Sequence, residues 1–211
     1  MYRSKRRVAY FDRSLPADLI EQLWQAPASL LANGQNLRKK NARHTVRLDW
    51  QSQPLVLKHY VEPTRRHALK QLVLPSRAWK TWDFTHRLLG LGVATPRPVA
   101  CIENRWGALR RDSFLMYQYV EGETLRHRFY EAKKSPEVYD RLFKQVSELW
   151  QRLVDLGVGL NDTHLGNFIV CPDGELWLID LDKSCFYTNR DTAAPHQARA
   201  WKQLLRSVAA A

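Results

Sequence analysis

Three polar side chains between residues 159 and 184 have the types and spacing of a site that handles phosphate. Asp162 is followed five positions later by Asn167, and Asp180 ends the apolar run LWLID. Magnesium prefers oxygen ligands and binds through one or two protein groups plus substrate phosphates, which suits an Asn and an Asp. A separate Asp can orient a hydroxyl and accept its proton, because phosphoryl transfer needs mainly positioning and charge neutralisation. The spacing therefore predicts a phosphoryl-transfer site.

The segment that carries these residues predicts how they come together. A loop with Asp162 leads into a short strand, NFIV, then a turn at PDGE and a second strand, LWLID. This order predicts a hairpin with Asn167 and Asp180 at its two ends. Asp also favours turns and loop caps, which is the structural alternative for both carboxylates. Against that alternative, a carboxylate at the end of an apolar strand needs a cation or several donors to offset its desolvation.

The remaining pattern predicts the elements that position this segment. Ser14 is the expected N-cap of a short helix in RSLPADLIEQLWQ. Strands are expected at 44–50, 54–61, PVACIE and SFLMYQYV, and helices at 65–91 with a break at Pro75, at 125–156 with a break near Ser135, and at about 193–208. Strands therefore dominate the first half and helices the second, which predicts an α+β fold with a cleft near Tyr119 to Gly122.

Composition limits the class of protein. The 211 residues carry a formal net charge of +12, which should attract a polyanion such as nucleic acid, an anionic membrane surface or a phosphorylated substrate. The three cysteines are widely spaced and favour a reducing compartment. The sequence predicts neither a signal peptide nor a membrane span. We therefore expect a cytoplasmic protein that is either soluble or peripheral to a membrane.

Several motifs in order resemble those of a known family. Asp162 and Asn167, followed by Asp180, resemble the catalytic loop and metal-binding Asp of the protein kinase-like superfamily. The forms DTHLGN and LWLIDLDKS are similar to the small-molecule and sugar kinase branch. Together with LVLKHY, LGVATPRPVACIENRWG and YVEGETL, they resemble the lipopolysaccharide core kinases. Those bacterial enzymes phosphorylate heptose or 3-deoxy-manno-octulosonic acid (Kdo) in the inner core.

The resemblance implies a role for each matching residue. Asp162 matches the catalytic base, and Asn167 and Asp180 match the two magnesium-binding positions. Lys58, in the predicted strand PLVLKHYV, matches the Lys that holds the α- and β-phosphates of ATP. His164 stands where related kinases place a residue near the transferred phosphate.

The resemblance also implies a fold and partners. The fold would be a protein kinase-like two-lobe fold, with a β-rich N-terminal lobe over residues 1–120 and a small, truncated α-rich C-terminal lobe over 121–211. The cofactors would be ATP and Mg²⁺, and the acceptor a lipopolysaccharide core or lipid A precursor at the anionic inner-membrane surface. Nucleic acid is not expected, because the tryptophans fall at helical spacings that favour packing over base stacking.

Departures from the kinase pattern leave two points open. The turn region 33–43, in the place of the nucleotide-covering loop, contains Gly34 as its one glycine, so a glycine-rich phosphate cradle is not evident. The helix Glu that should pair with Lys58 is also missing. Thr81 stands at its place, and Asp83 lies two residues away on another face of the helix. Either Asp83 substitutes through a shifted helix or Lys58 lacks that partner.

Two alternatives to a lipopolysaccharide kinase remain. The acceptor is either a core sugar or another small molecule, such as an aminoglycoside-like compound. From a different class, the chain is a pseudokinase or a basic scaffold that binds a polyanion without turnover. The departures favour the pseudokinase, whereas the intact set of Asp162, Asn167 and Asp180 opposes it. Asp182 is interpreted as an ion-pair partner of Lys183 or another base, with a place near the metal as its alternative.

Overall fold

The computed structural model describes residues 1–40, 43–61, 74–106 and 109–211. Helices and strands are numbered as they occur in these residues. The helices are α1 (Ala17–Gln25), α2 (Ser29–Asn33), α3 (Arg77–Gly90), α4 (Leu125–Ala132), α5 (Pro136–Asp155) and α6 (Arg190–Ala209). The strands are β1 (Tyr2–Arg3), β2 (Arg7–Phe11), β3 (Gln35–Lys40), β4 (Arg43–Trp50), β5 (Gln53–Tyr60), β6 (Pro98–Trp106), β7 (Leu109–Gln118), β8 (Glu123–Thr124), β9 (Val158–Leu160), β10 (Phe168–Val170), β11 (Leu176–Leu178) and β12 (Ser184–Phe186). The fold is α+β, as the sequence predicts.

The described chain divides into two compact units. The first comprises residues 1–86 and 96–119, and the second comprises residues 87–95 and 120–211. Each has its own β-sheet structure and its own buried side chains.

The first unit is built on a seven-stranded antiparallel sheet in the order β1-β2-β6-β7-β5-β4-β3. The hairpin of β4 and β5 closes through Gln51 and Ser52, which both adopt positive φ, as a two-residue hairpin turn requires. Alternate residues of each strand face opposite sides of a sheet. Leu55 and Leu57 therefore join a core under α1 and α2, whereas Tyr60 packs on the other face with Ala78 of α3.

The second unit combines three helices with two small sheets. One sheet has the strand order β11-β10-β8, and the other pairs β12 with β9, all antiparallel. Helix α5 buries one stripe of side chains at helical spacing: Leu142, Val146, Trp150 and Leu153. Residues 87–95 belong to this unit, and the carbonyl of Ala94 accepts a 2.9 Å hydrogen bond from Leu178 N at the end of β11.

The structure confirms most predicted elements and corrects several boundaries. The predicted hairpin at 44–50 and 54–61 is present, as is the hairpin of β10 and β11. Helix α1 begins after Pro16 rather than at Ser14, because the Ser14 hydroxyl donates to Asp12 Oδ1 and caps no helix. The predicted helix at 65–91 is observed as α3 from Arg77, and its part at 65–73 lies outside the described residues.

Other elements were not predicted. Residues 35–40, expected as part of a turn region, form strand β3 paired with β4. Strands β1, β2, β9 and β12 carry too few alternating residues to give a clear sequence signal. Among the described helices, none is both long and apolar enough to cross a membrane.

Candidate phosphoryl-transfer site

The site lies in the second unit, on the chain between β9 and β12. Strand β9 ends at Leu160, and a loop with Asp162 leads to a 3-10 turn at Leu165–Asn167 and then directly into β10. The Thr163 hydroxyl donates to Leu160 O at 2.9 Å, and Leu165 N donates to the Ser207 hydroxyl of α6 at 3.1 Å. These bonds attach both ends of the loop to ordered elements.

Asn167 is fixed against the backbone of Asp162. Its side-chain Nδ2 donates a 2.6 Å hydrogen bond to Asp162 O, and the residue is 5% exposed. An amide has its donor and its acceptor on opposite branches. With Nδ2 committed to the loop, the carbonyl oxygen Oδ1 is the group of Asn167 that can serve as a ligand.

Asp180 follows β11 in an unusual backbone conformation. The backbone of the residue before it is held by a 2.8 Å hydrogen bond from Ile179 N to Asn167 O, so the two ends of the hairpin meet as predicted. Asp180 has φ +56°, and outside the turn at Gln51 and Ser52 it is the one non-glycine residue with positive φ in the described ranges. Such strained positions cluster at functional sites, and Asp tolerates them better than most residues.

Asp162 and Lys183 form an ion pair beside Asn167 and Asp180. Lys183 Nζ lies 2.9 Å from Asp162 Oδ2, and the side chains are 52% and 37% exposed. Sequence analysis gave Lys183 or another base as the partner of Asp182, and that pairing stays a prediction. Lys183 contacts Asp162, which lies on the loop after β9, the strand that pairs with β12.

His164 lies against the same carboxylate but at a longer distance. Its Nε2 is 4.0 Å from Asp162 Oδ1, and its Nδ1 is buried and makes no hydrogen bond within the described part of the chain. A Cβ at Gly166 would stand 3.1 Å from that Nδ1. The glycine of DTHLGN is thus explained by the space that the His164 ring occupies.

Asp162, Asn167, Asp180 and Lys183 line one narrow cleft. Its enclosed volume of about 10 Å³ is close to what a single water molecule or small ion needs. The oxygen groups of Asn167 and Asp180 are ligands that Mg²⁺ prefers. The residues present therefore fit a magnesium ion in this cleft, which Asp162 also lines.

Lys58, predicted at the same site, belongs to the first unit. It lies on β5 between Thr45 of β4 and Leu115 of β7, is 6% exposed, and has its Nζ 5.4 Å from the ring centre of Tyr60. By strand alternation it faces the side of the sheet that α3 covers. Its burial excludes the alternative of an exposed strand lysine.

The helix residues considered as partners of Lys58 lie on different faces of α3. Thr81 is 6% exposed, whereas Asp83 is exposed. The separation agrees with their spacing of two residues.

Comparison with known proteins defines the class. The model of the lipopolysaccharide kinase (Kdo/WaaP) family matches residues 21–211, and the chain belongs to this family. The resemblance drawn from the motifs is thereby confirmed.

Similar curated proteins are more specific in name. One is 3-deoxy-D-manno-octulosonic acid kinase of Vibrio cholerae serotype O1, 25% identical over 128 residues, which cover 61% of this chain and 49% of that protein. Another is 3-deoxy-D-manno-octulosonic acid kinase of Vibrio vulnificus strain CMCP6, 24% identical over 157 residues, which cover 70% of this chain and 59% of that protein. The match thus spans about half to three fifths of the length of these relatives.

Proposed function

We propose that the protein is an ATP- and magnesium-dependent kinase that phosphorylates a sugar hydroxyl of the lipopolysaccharide inner core. The observation that carries the proposal is the cleft lined by Asp162, Asn167 and Asp180 in a chain of the lipopolysaccharide kinase family. We choose Kdo over heptose as the acceptor sugar because the similar curated proteins are named as Kdo kinases.

The proposed reaction uses few protein groups. Asp162 orients the acceptor hydroxyl and takes its proton as the oxygen–hydrogen bond breaks. The acceptor oxygen bonds to the γ-phosphorus of ATP, and the bond from that phosphorus to the β,γ-bridging oxygen breaks, so its electron pair leaves with ADP. Asn167 and Asp180 hold the magnesium ion, which when bound offsets the negative charge of the nucleotide phosphates.

Two further residues complete the proposed assignment. Lys58 holds the α- and β-phosphates, a role that its place on β5 and its match to the phosphate-binding Lys of the family support. His164 lies near the transferred phosphate, a place that its Nε2, 4.0 Å from Asp162 Oδ1, supports. The assignment implies the protein kinase-like two-lobe fold, with the seven-stranded unit as the N-terminal lobe and the helical unit as the C-terminal lobe.

The proposed place of action is the cytoplasmic face of the inner membrane. The net charge of +12 supports it, because a basic protein is attracted to anionic lipids and to an acceptor rich in phosphate and carboxylate. The protein would then bind the membrane peripherally while it acts on a lipid-linked acceptor.

Acceptor profiling of the purified protein tests the proposal. Initial rates of ADP formation are measured with ATP and Mg²⁺ on Kdo-bearing lipid A, on a heptose-bearing core and on an aminoglycoside. We expect turnover with the Kdo acceptor, and heat stabilisation by ATP that requires Mg²⁺. Turnover only with the aminoglycoside would show that the acceptor is not a lipopolysaccharide sugar. ATP binding without turnover on any acceptor would favour a pseudokinase.

A further inference from the structure

We infer that Lys183 is the positioning residue of the catalytic base: it holds Asp162 by Oδ2 so that Oδ1 is turned to the acceptor hydroxyl. The inference rests on the proposed function and assigns a role to a lysine that the motif comparison left unassigned. It is carried by the 2.9 Å contact between Lys183 Nζ and Asp162 Oδ2 and by the way the backbone of Lys183 is held.

The backbone next to Lys183 is attached to the catalytic loop at two points. Strand β12 begins one residue later, with Ser184 opposite Leu160, two residues before Asp162. Asn161, the neighbour of Asp162, donates from Nδ2 to Lys183 O at 2.8 Å. The strand pairing and the hydrogen bond from the Asn161 side chain therefore fix the backbones of the base and the lysine relative to each other.

The two oxygens of Asp162 have different surroundings. Oδ2 accepts from Lys183, whereas Oδ1 lies 4.0 Å from His164 Nε2, beyond hydrogen-bond distance. A carboxylate held through one oxygen keeps its other oxygen available to accept a proton. Because a misplacement of about 1 Å costs on the order of a hundredfold in rate, a fixed rotamer of the base matters for turnover.

Stability alone does not account for the pair. Exposed ion pairs contribute about 0–1 kcal/mol, because water screens the charges and both side chains lose rotamer freedom. Lys183 and Asp162 are 52% and 37% exposed, so their contact belongs to this class. Its effect on turnover should therefore exceed its effect on folding.

Three variants of the full chain test the inference: Lys183→Met, Lys183→Arg and, as a matched control, Lys144→Met. Lys144 also pairs with a carboxylate, Glu148 at 3.9 Å, but on the surface of α5 away from the cleft. Steady-state turnover on Kdo-bearing lipid A and the dissociation constant of Mg-ATP are measured for each. We expect Lys183→Met to lower kcat about tenfold to a hundredfold and to leave the dissociation constant of Mg-ATP unchanged. Lys183→Arg should retain most of the parent kcat, and Lys144→Met should match the parent in both measurements.

The outcomes separate the two proposals. A Lys183→Met variant with the kcat of the control, or with a higher kcat, would overturn the positioning role while the proposed function stands. A weaker Mg-ATP constant with unchanged kcat would also overturn it, since the lysine would then bind the nucleotide. Absence of transfer by the parent protein to any acceptor would instead remove the proposed function, and the inference with it.

Discussion

The side-chain Nδ2 of Asn167 donates a 2.6 Å hydrogen bond to the backbone carbonyl of Asp162. This contact explains why the two residues stand five apart: the loop from Asp162 returns through one 3-10 turn, so the carboxamide reaches back to the residue that begins it. One hydrogen bond thereby couples the proposed base to a proposed magnesium ligand, and it directs Asn167 Oδ1 away from the loop.

Replacement of Asn167 by Ala should impair magnesium-dependent nucleotide binding. The variant loses both the proposed ligand oxygen and the bond to the Asp162 carbonyl, so we expect the affinity for ATP with Mg²⁺ to fall at least about tenfold, equivalent to about 1.4 kcal/mol. Isothermal titration calorimetry with and without Mg²⁺ measures this, and affinity for ATP alone serves as the control. Equal losses in both conditions would indicate that Asn167 acts on folding and not on the metal.

Replacement of Asp162 by Asn should stop turnover and spare nucleotide binding. A general base contributes about 10²–10⁴-fold to rate, and Asn cannot accept the acceptor proton. The measurements are kcat on the Kdo acceptor and the Mg-ATP dissociation constant, with Asp140→Asn on the exposed side of α5 as the control. Turnover near the parent rate would show that Asp162 is not the base.

Replacement of Gly122 by Ala should destabilise the second unit. Gly122 has φ +147°, and an added Cβ would stand 2.4 Å from Val170 O, where β8 pairs with β10. Strain of this kind costs about 1–3 kcal/mol. Chemical denaturation measures the change in the free energy of unfolding, and Gly90→Ala is the matched control because nothing lies within 4 Å of its added Cβ. If both variants unfold alike, the close approach at Gly122 is not rigid.

Acid should weaken the first unit through Asp112. Burial raises the pKa of Asp112, but hydrogen bonds from His59 at 3.1 Å and Asn104 at 3.1 Å outweigh it, and the net pKa lies below the ordinary value. A carboxyl group whose pKa is lowered by folding stabilises the protein fully at pH values above its unfolded-state pKa. That stabilisation is lost as the pH falls through the folded-state pKa.

The variant Asp112→Asn tests this linkage. We expect its free energy of unfolding at neutral pH to be about 1–2 kcal/mol lower than that of the parent. The difference should shrink in acid, because the parent carboxyl then takes up its proton. Asp49→Asn, on a side chain that is 62% exposed, is the control. If the difference in free energy of unfolding between Asp112→Asn and the parent stayed constant from neutral to acidic pH, the charge of Asp112 would not be what stabilises its contacts with His59 and Asn104.

Sequence patterns predicted local proximity better than long-range pairing. The approach of Asn167 to Asp180 could be inferred because they lie at the two ends of one hairpin, where local spacing sets proximity. The ion pair of Asp162 with Lys183 could not, because it depends on the pairing of β9 with β12, two strands of three residues each. Short strands take their conformation from tertiary partners and leave little periodicity in the sequence.

The same limit explains the rest of the fold. Strands β4, β5, β6 and β7 are eight residues or longer and contain alternating or consecutive apolar residues, and all four were predicted. Strand β3 was not, because the run QNLRKK is polar and basic and lies at the edge of the sheet. An edge strand pairs on one side only and often carries such charges.

Mass spectrometry of the core oligosaccharide from cells that lack this protein tests the central claim most directly. The account predicts that one phosphate is missing from a Kdo residue, that the parent gene restores it, and that the Asp162→Asn variant, expressed at the same level, does not. A core with unchanged phosphate in the deletion strain, or full restoration by Asp162→Asn, would contradict the account.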